Sequence, residues 1–205
     1  MPTPDRTSLS EVVQAGRDIL ESAGLAGLTM QAVADRVGVR APSLYKRVRN
    51  RDDLVRLITE VTIRDLGERL ATIRAGTDPR RDLAELARAL RAFARACPMG
   101  YQLIFAPTPG LAAPSIEAMT HAIEPVMRVA VDLAGEQHAL EAARTFTAWA
   151  NGFIGMELAG AFKLGGDIDR AYEFGIARLT DAIGGQPPDG TTAGAAPGPT
   201  VLVRE

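Results

Sequence analysis

The chain has 205 residues, of which 46 % are hydrophobic, and a formal net charge of −2. This composition excludes a wholly disordered chain and allows one large or two small domains. No uncharged stretch approaches the roughly 18 residues that a membrane span needs, and the first residues lack the apolar segment of an export signal. Cys97 is the single cysteine. We therefore expect a cytoplasmic protein with no membrane contact and no internal disulfide.

Basic residues are concentrated near the start of the chain. Residues 36–51 carry six arginines and lysines and no acidic residue. A basic segment in an otherwise acidic protein favours the binding of a polyanion at one end of the molecule. An ordinary solvated face remains the alternative interpretation.

Apolar residues recur with helical spacing along most of the chain, and no segment alternates as a strand does, so the sequence predicts an all-α fold. The first helix begins at Ser8, where Ser8 and Glu11 have the form of a capping box, and ends near Gly24. Its expected buried residues are Leu9, Val12, Val13, Ile19 and Leu20.

Three further helices follow within the first 73 residues. Thr29 has the character of an N-cap for a second helix over 30–37, which Gly38 ends, with Val33 and Ala34 facing inward. A third short helix is predicted over 41–48, where a proline in the first turn is tolerated. The fourth runs from Asp52 and Asp53 to about residue 73 and connects this region to the remainder.

Five more helices are predicted in the rest of the chain. Their expected ranges are 80–96, 99–105, 115–133 with an internal Pro125, 136–164 and 168–183. From residue 185 onward, glycine and proline predict a disordered tail. We therefore divide the chain into a helix-turn-helix domain (1–60), a ligand-binding and dimerisation domain (61–184) and a tail (185–205).

Three short helices with a glycine-centred turn between the second and third predict a DNA-binding helix-turn-helix. Small residues at the start of the third helix would let its backbone approach the DNA closely. Leu44 would anchor that helix inward, while Tyr45, Lys46 and Arg47 would point outward toward phosphates or bases. Arg51 lies at the following helix start, where a phosphate contact is favourable.

The same segments resemble the N-terminal domain of TetR-family regulators over about residues 8–60. The matching stretches are Leu28–Ala34, Val37-Gly38-Val39, Ser43-Leu44-Tyr45-Lys46 and Asp52-Asp53-Leu54. The resemblance implies phosphate contacts by Thr29 and Tyr45 and makes four other residues candidate base or backbone readers. The full predicted DNA-contact set is Thr29, Gln31, Arg40, Pro42, Ser43, Tyr45, Lys46, Arg47 and Arg51.

Three residues depart from the family pattern. Arg40 stands where a serine usually caps the reading helix, Val48 where an aromatic is common and Arg51 where a lysine is common. Val48 keeps an apolar anchor and Arg51 keeps the charge. With Arg40 at this position, the sequence does not show which residue caps the third helix. Arg40 is instead a candidate for contacting DNA bases.

The second domain is rich in methionine and aromatic residues on separate helices. An ordinary core would explain them, but helical bundles also bind small molecules between their helices, and methionine adapts to irregular shapes. Trp149 to Phe153 resemble the Trp-His-Gly motif of one TetR-like C-terminal domain class, with Asn151 in place of the histidine. The predicted ligand contacts are Met99, Tyr101, Phe105, Met119, Met127, Trp149, Asn151, Phe153 and Met156.

No cluster of residues in the sequence predicts a catalytic centre, a metal site or a cofactor. His121 has Glu117 and Glu124 on neighbouring helical turns, which predicts a hydrogen-bonded surface histidine. The last two helices are apolar on more than one face, which predicts a two-fold homodimer.

Together these features predict a regulator that binds a palindromic double-stranded DNA operator, a repressor released by a small hydrophobic ligand. The alternatives are a helical small-molecule-binding protein or enzyme with a vestigial DNA-binding head, and a dimerisation module without a ligand.

Overall fold

The computed structural model describes residues 8–73, 76, 78–105 and 114–185. Within these ranges the chain is helical and contains no strand, as the sequence predicts. The α-helices are α1 (Leu9–Gly27), α2 (Met30–Val37), α3 (Ala41–Leu44), α4 (Arg51–Ala71), α5 (Pro79–Ala96), α6 (Pro98–Phe105), α7 (Ile116–Ala134), α8 (Ala139–Leu158) and α9 (Ile168–Ile183). A single 3₁₀ turn, Glu136–His138, lies between α7 and α8.

The start of α1 has the predicted capping box. The Ser8 backbone N–H donates to Glu11 Oε2 at 2.6 Å, and the Glu11 N–H donates to Ser8 Oγ at 3.2 Å. The expected burial of Leu9 is wrong, because the first turn of the helix lies at the edge of the domain and leaves this side chain 40 % exposed. Gly24 interrupts the helix with a φ of 67°, but helical structure resumes and continues to Gly27.

The helix-turn-helix is held by local caps. The Thr29 side-chain oxygen accepts a hydrogen bond from the Ala32 N–H at 3.1 Å and begins α2. Gly38 ends α2 in the left-handed conformation (φ 72°), a backbone geometry that favours glycine. Val33 and Ala34 are fully buried on the inner face of α2, as predicted.

Two helices end earlier than predicted. The third ends at Leu44 and not at residue 48, and the chain continues as a turn in which the N–H groups of Arg47 and Val48 both donate to the Leu44 carbonyl, at 2.8 and 2.9 Å. The eighth ends at Leu158 and not at residue 164, since Gly160 turns the backbone to a φ of 60°. The predicted tail lies outside the described residues except for Gly185.

Helix α4 is shared by two hydrophobic cores. Leu54, Val55 and Ile58 pack with α1, α2 and α3 in the N-terminal core. Ile63, Leu66 and Leu70, further along the same helix, pack with α5 to α9 in the C-terminal core. Any movement of α4 therefore affects both domains.

An ion cluster around the buried Arg91 joins α5, α8 and α9. Arg91 donates from Nε and Nη2 to the two carboxylate oxygens of Glu157, each at 2.8 Å, and its Nη2 lies 2.8 Å from Asp169 Oδ1. Burial opposes ionisation of Glu157, but hydrogen bonds from Arg91 and Arg95 outweigh it and place the pKa of Glu157 below its ordinary value. The Arg91 guanidinium also lies 4.5 Å from the ring centre of Tyr172.

Candidate functional site

The turn that follows α3 presents a polar surface on a buried scaffold. Leu44 and Val48 are each only 1 % exposed and anchor the turn in the N-terminal core, as the sequence predicts. Tyr45, between them, is 54 % exposed. Lys46 and Arg47 are exposed as well. These aromatic and basic side chains can therefore contact another molecule while Leu44 and Val48 stay packed in the core.

Eight of the nine residues of the predicted DNA-contact set are exposed at α2, α3 and the turn after α3. These are Thr29, Gln31, Arg40, Pro42, Ser43, Tyr45, Lys46 and Arg47. Because the Thr29 oxygen accepts from Ala32, its O–H remains able to donate to a phosphate. Gln31 Nε2 donates to Asp35 Oδ1 at 2.7 Å, which holds this amide on the exposed face of α2. Arg40 is the N-cap residue of α3 and makes no capping hydrogen bond through its side chain.

Arg51 has a structural role that the sequence does not predict. Its Nε donates to the Leu28 carbonyl at 2.7 Å, and its Nη2 donates to the Leu25 carbonyl at 2.5 Å. These bonds fasten the start of α4 to the connection between α1 and α2. Two of the three guanidinium nitrogens are thus used inside the domain, and a DNA contact by Arg51 stays a prediction.

The start of α4 is fixed by reciprocal side-chain caps. Asn50 Oδ1 accepts from the Asp53 N–H at 2.8 Å, and Asp53 Oδ2 accepts from the Arg49 N–H at 3.0 Å. The bond from Arg49 and a further bond from Arg56 lower the pKa of Asp53, so its carboxylate stays ionised. The turn that carries Tyr45 to Arg47 is consequently anchored at both ends.

A cavity of about 360 Å³ lies in the C-terminal domain between α4, α5, α6, α7 and α8. Helix α4 contributes Ile63, Leu66 and Leu70 to its wall. Phe105 and Met119, two residues of the predicted ligand set, also line it. Sequence reasoning misses the α4 residues because leucine and isoleucine at helical spacing look the same in a filled core and beside a cavity.

The other predicted ligand contacts do not line this cavity. Trp149 stacks on Tyr172 with ring centres 5.2 Å apart, and Phe153 packs against the same tyrosine at 5.0 Å. Tyr101 is 2 % exposed, and its hydroxyl donates to Asn151 Oδ1 at 3.2 Å. These side chains fill the space between helices, and burial raises the pKa of Tyr101. Tyr101, Trp149, Asn151 and Phe153 thus lie outside this cavity, and their assignment as ligand contacts stays a prediction.

The three remaining methionines of the predicted ligand set also lie elsewhere. Met99 packs against the N-terminal core, and Met127 is partly buried against the C-terminal core. Met156 is 49 % exposed on the surface of α8. Methionine content alone does not distinguish core, surface and cavity positions, so the ligand contacts of these three methionines also stay a prediction.

Helix α6 connects the two domains through a contact that the sequence does not reveal. The Glu21 carboxylate, on α1, accepts from the N–H groups of Met99 and Gly100 at 3.1 and 2.8 Å. These groups belong to the first turn of α6, where backbone donors have no partner within the helix. The other end of α6 contributes Ile104 and Phe105 to the cavity.

Within the described ranges, no three histidine, cysteine, aspartate or glutamate side chains converge to hold a metal ion. His121 is exposed, with its Nδ1 3.7 Å from Glu124 Oε2. Burial raises the pKa of Cys97, which disfavours the reactive thiolate. No described helix is both long and apolar enough to cross a membrane.

Two family models match the chain. Residues 12–58 match the model described as bacterial regulatory proteins, tetR family, and residues 83–179 match the tetracyclin repressor-like C-terminal domain. The chain is 31 % identical to the HTH-type transcriptional regulator Rv0681 of Mycobacterium tuberculosis over 169 residues, which cover 81 % of this chain and 76 % of that protein.

Solved structures share the whole fold. The regulatory protein SCO4313 superposes with a TM-score of 0.72 at 27 % identity, over 83 % of this chain and 94 % of its own. A TetR variant of Acinetobacter baumannii in complex with minocycline has a TM-score of 0.65 at 22 % identity, over 86 % and 96 % of the two chains. With both domains matched in order, this chain belongs to the TetR family of DNA-binding transcription regulators.

Proposed function

We propose that this regulator binds a palindromic operator as a cytoplasmic homodimer and represses transcription until a small hydrophobic ligand occupies the 360 Å³ cavity. The observation that carries the proposal is the path of α4. This helix begins shortly after the exposed Tyr45–Arg47 turn and then supplies three residues of the cavity wall.

The DNA side of the proposal rests on the chemistry of the exposed turn. Tyr45 can donate its hydroxyl to a phosphate, and Lys46 supplies a positive charge. The small residues Pro42 and Ser43 let the start of α3 approach base edges in the major groove. Arg40, exposed at the N-cap of α3, would reach either a base or the DNA backbone.

The dimer side rests on the outer faces of α8 and α9. On α8, a Cβ added at Gly152 or Gly155 would meet nothing within 4 Å, so a second helix can approach closely. Met156 on α8 and Phe174 on α9 are 49 % and 67 % exposed. Burying these apolar groups against a second copy is favourable. A two-fold assembly would present two reading turns, and consecutive major grooves on one face of DNA lie about 34–36 Å apart.

The coupling between ligand and DNA follows from the shared helix. A ligand that wedges between α4 and α7 would change the tilt of α4 and with it the separation of the two turns. It can act only through different affinities for the two arrangements. Nearly complete release would require a preference of about 5.5 kcal/mol.

The main alternative is a helical small-molecule-binding protein or enzyme that no longer uses its head. We propose that the chain is not an enzyme, since its ionised clusters serve the fold. The Arg91–Glu157 pair, for example, is saturated with hydrogen bonds between helices.

Selection of bound sequences from random DNA by the full-length protein tests the proposal. We expect an inverted repeat whose half-site centres are about one or two helical turns apart. The same selection with a Tyr45→Ala, Lys46→Ala double variant is the matched control and should enrich nothing. Equal enrichment by both proteins would contradict the DNA assignment, and a single asymmetric site would contradict the dimer.

A further inference from the structure

The cavity has a wall without ionisable groups. Sixteen described residues line it, and fourteen of them are apolar. The two others are Thr120 on α7 and Thr147 on α8. No arginine, lysine, histidine, aspartate or glutamate belongs to the wall formed by the described residues, although 23 % of the whole chain is charged.

A charged guest would be poorly solvated in such a cavity. Moving an ion out of water is costly unless an opposite charge and hydrogen bonds compensate. Two hydroxyl groups cannot supply that compensation for a carboxylate, a phosphate or an ammonium group. The wall therefore selects against ligands that are ionised at neutral pH.

The two threonines are nonetheless able to bind a polar group. Buried threonines on α4 and α9 donate to a carbonyl one turn back, at 2.8 Å for Thr59, 2.7 Å for Thr62 and 2.9 Å for Thr180. The side-chain hydroxyls of Thr120 and Thr147 make no hydrogen bond to any described residue. Thr147 is also half-buried, so its hydroxyl is a donor and acceptor at an otherwise apolar wall.

We infer that the cavity accepts an uncharged, largely apolar molecule that carries one hydrogen-bonding group directed at Thr147. This inference rests on the proposed function, in which the cavity holds the ligand, and adds the charge and polarity of that ligand. The volume of 360 Å³ is near the lower end of the range for small-molecule pockets. The guest is thus the size of a few fused rings or a short branched chain, and we do not expect it to carry a phosphate or a nucleotide among the apolar residues of the wall.

Four naphthalene probes of the same shape test the inference on the full-length protein. They are 2-naphthalenemethanol, 2-methylnaphthalene, 2-naphthoate and protonated 2-naphthylmethylamine, each titrated at neutral pH by its own fluorescence. We expect both neutral probes to bind at least tenfold more tightly than both ions. An ion that binds as tightly as the alcohol, or no saturable binding by any probe, would overturn the inference.

Two substitutions locate the binding and test the role of the hydroxyl. Thr147→Val keeps the shape of the side chain and should lower the affinity for 2-naphthalenemethanol about three- to tenfold. The affinity for 2-methylnaphthalene should stay unchanged. Thr120→Lys, at an exposed position of the wall, should raise the affinity for 2-naphthoate at least tenfold. Thermal unfolding of both variants checks that they fold. Unchanged probe affinities in both folded variants would place the probes elsewhere and contradict the inference.

A second readout separates this inference from the proposed function. Each probe is added to the complex with the selected inverted repeat, and release of the DNA is followed by fluorescence anisotropy. If neutral probes bind as expected but release no DNA, the ligand-release proposal fails and the inference holds. If only an ionised probe releases the DNA, the inference fails and the release proposal holds.

Discussion

The helix-turn-helix domain, which we call the head, and the C-terminal domain place their functional residues differently relative to the hydrophobic core. In the head, Leu44 and Val48 are buried and the polar residues between them face solvent. In the C-terminal domain, the cavity that we propose as the ligand site is lined by core residues such as Leu66 and Phe146 and opens between exposed residues such as Ile116. Substitutions on the surface of the head should therefore alter binding alone, whereas substitutions at the cavity should alter stability and binding together.

The largest effect is expected for an anchor residue of the head. Leu44→Ala removes a side chain that is 1 % exposed and should lower the free energy of unfolding by about 3 kcal/mol, because the truncation leaves a cavity. Urea denaturation followed by circular dichroism measures it. The neighbouring Tyr45→Phe is the control and should stay within about 0.5 kcal/mol of the parent. Equal destabilisation by both variants would contradict the assignment of Leu44 to the buried scaffold and Tyr45 to the binding surface.

The next effect concerns the ion cluster of the C-terminal domain. Glu157→Gln should lower the free energy of unfolding by about 2 kcal/mol at pH 7, because Arg91 loses the less exposed of its two carboxylate partners and keeps only Asp169. The folded-state pKa of Glu157 is lowered, so the pair contributes its full stability above the ordinary carboxyl pKa. That contribution is lost as the pH falls through the lowered folded-state pKa.

Urea denaturation at pH 7 and at pH 3 tests this assignment. The stability difference between parent and Glu157→Gln should shrink on acidification. Glu136→Gln, at an exposed residue of the 3₁₀ turn, is the control and should match the parent at both values. A difference that is constant with pH would contradict the role of the carboxylate charge.

A smaller effect is expected where the two domains meet. Glu21→Ala removes the acceptor for the first turn of α6 and should cost about 1 kcal/mol, as removal of a helix cap usually does. Glu21→Gln keeps one acceptor oxygen and should be less destabilised. Denaturation of both variants measures the order. A glutamine variant as unstable as the alanine variant would show that the amide cannot replace the carboxylate cap.

The degree to which the sequence predicts the structure also differs between the regions. Thr29, Gly38 and the Ser8 capping box act within three or four residues, so local reasoning correctly places the start of α1 and both ends of α2. The Glu21 cap joins groups 78 residues apart, and no local pattern reveals it. Sequence reasoning assigns Trp149 and Phe153 to a ligand site because an apolar side chain has the same signature in a core and in a pocket. Only the packing of whole helices decides where space remains.

The most direct test compares the two lysines of the chain. Lys46 lies on the turn after α3 and Lys163 after α8, and both are exposed. Fluorescence anisotropy with the selected inverted repeat, at several salt concentrations, measures the affinity of Lys46→Ala and Lys163→Ala. Lys46→Ala should weaken binding about tenfold and reduce the salt slope by about one per phosphate that is no longer neutralised, while Lys163→Ala should match the parent. Parent-like affinity and salt dependence in Lys46→Ala would contradict the claim that this turn contacts DNA.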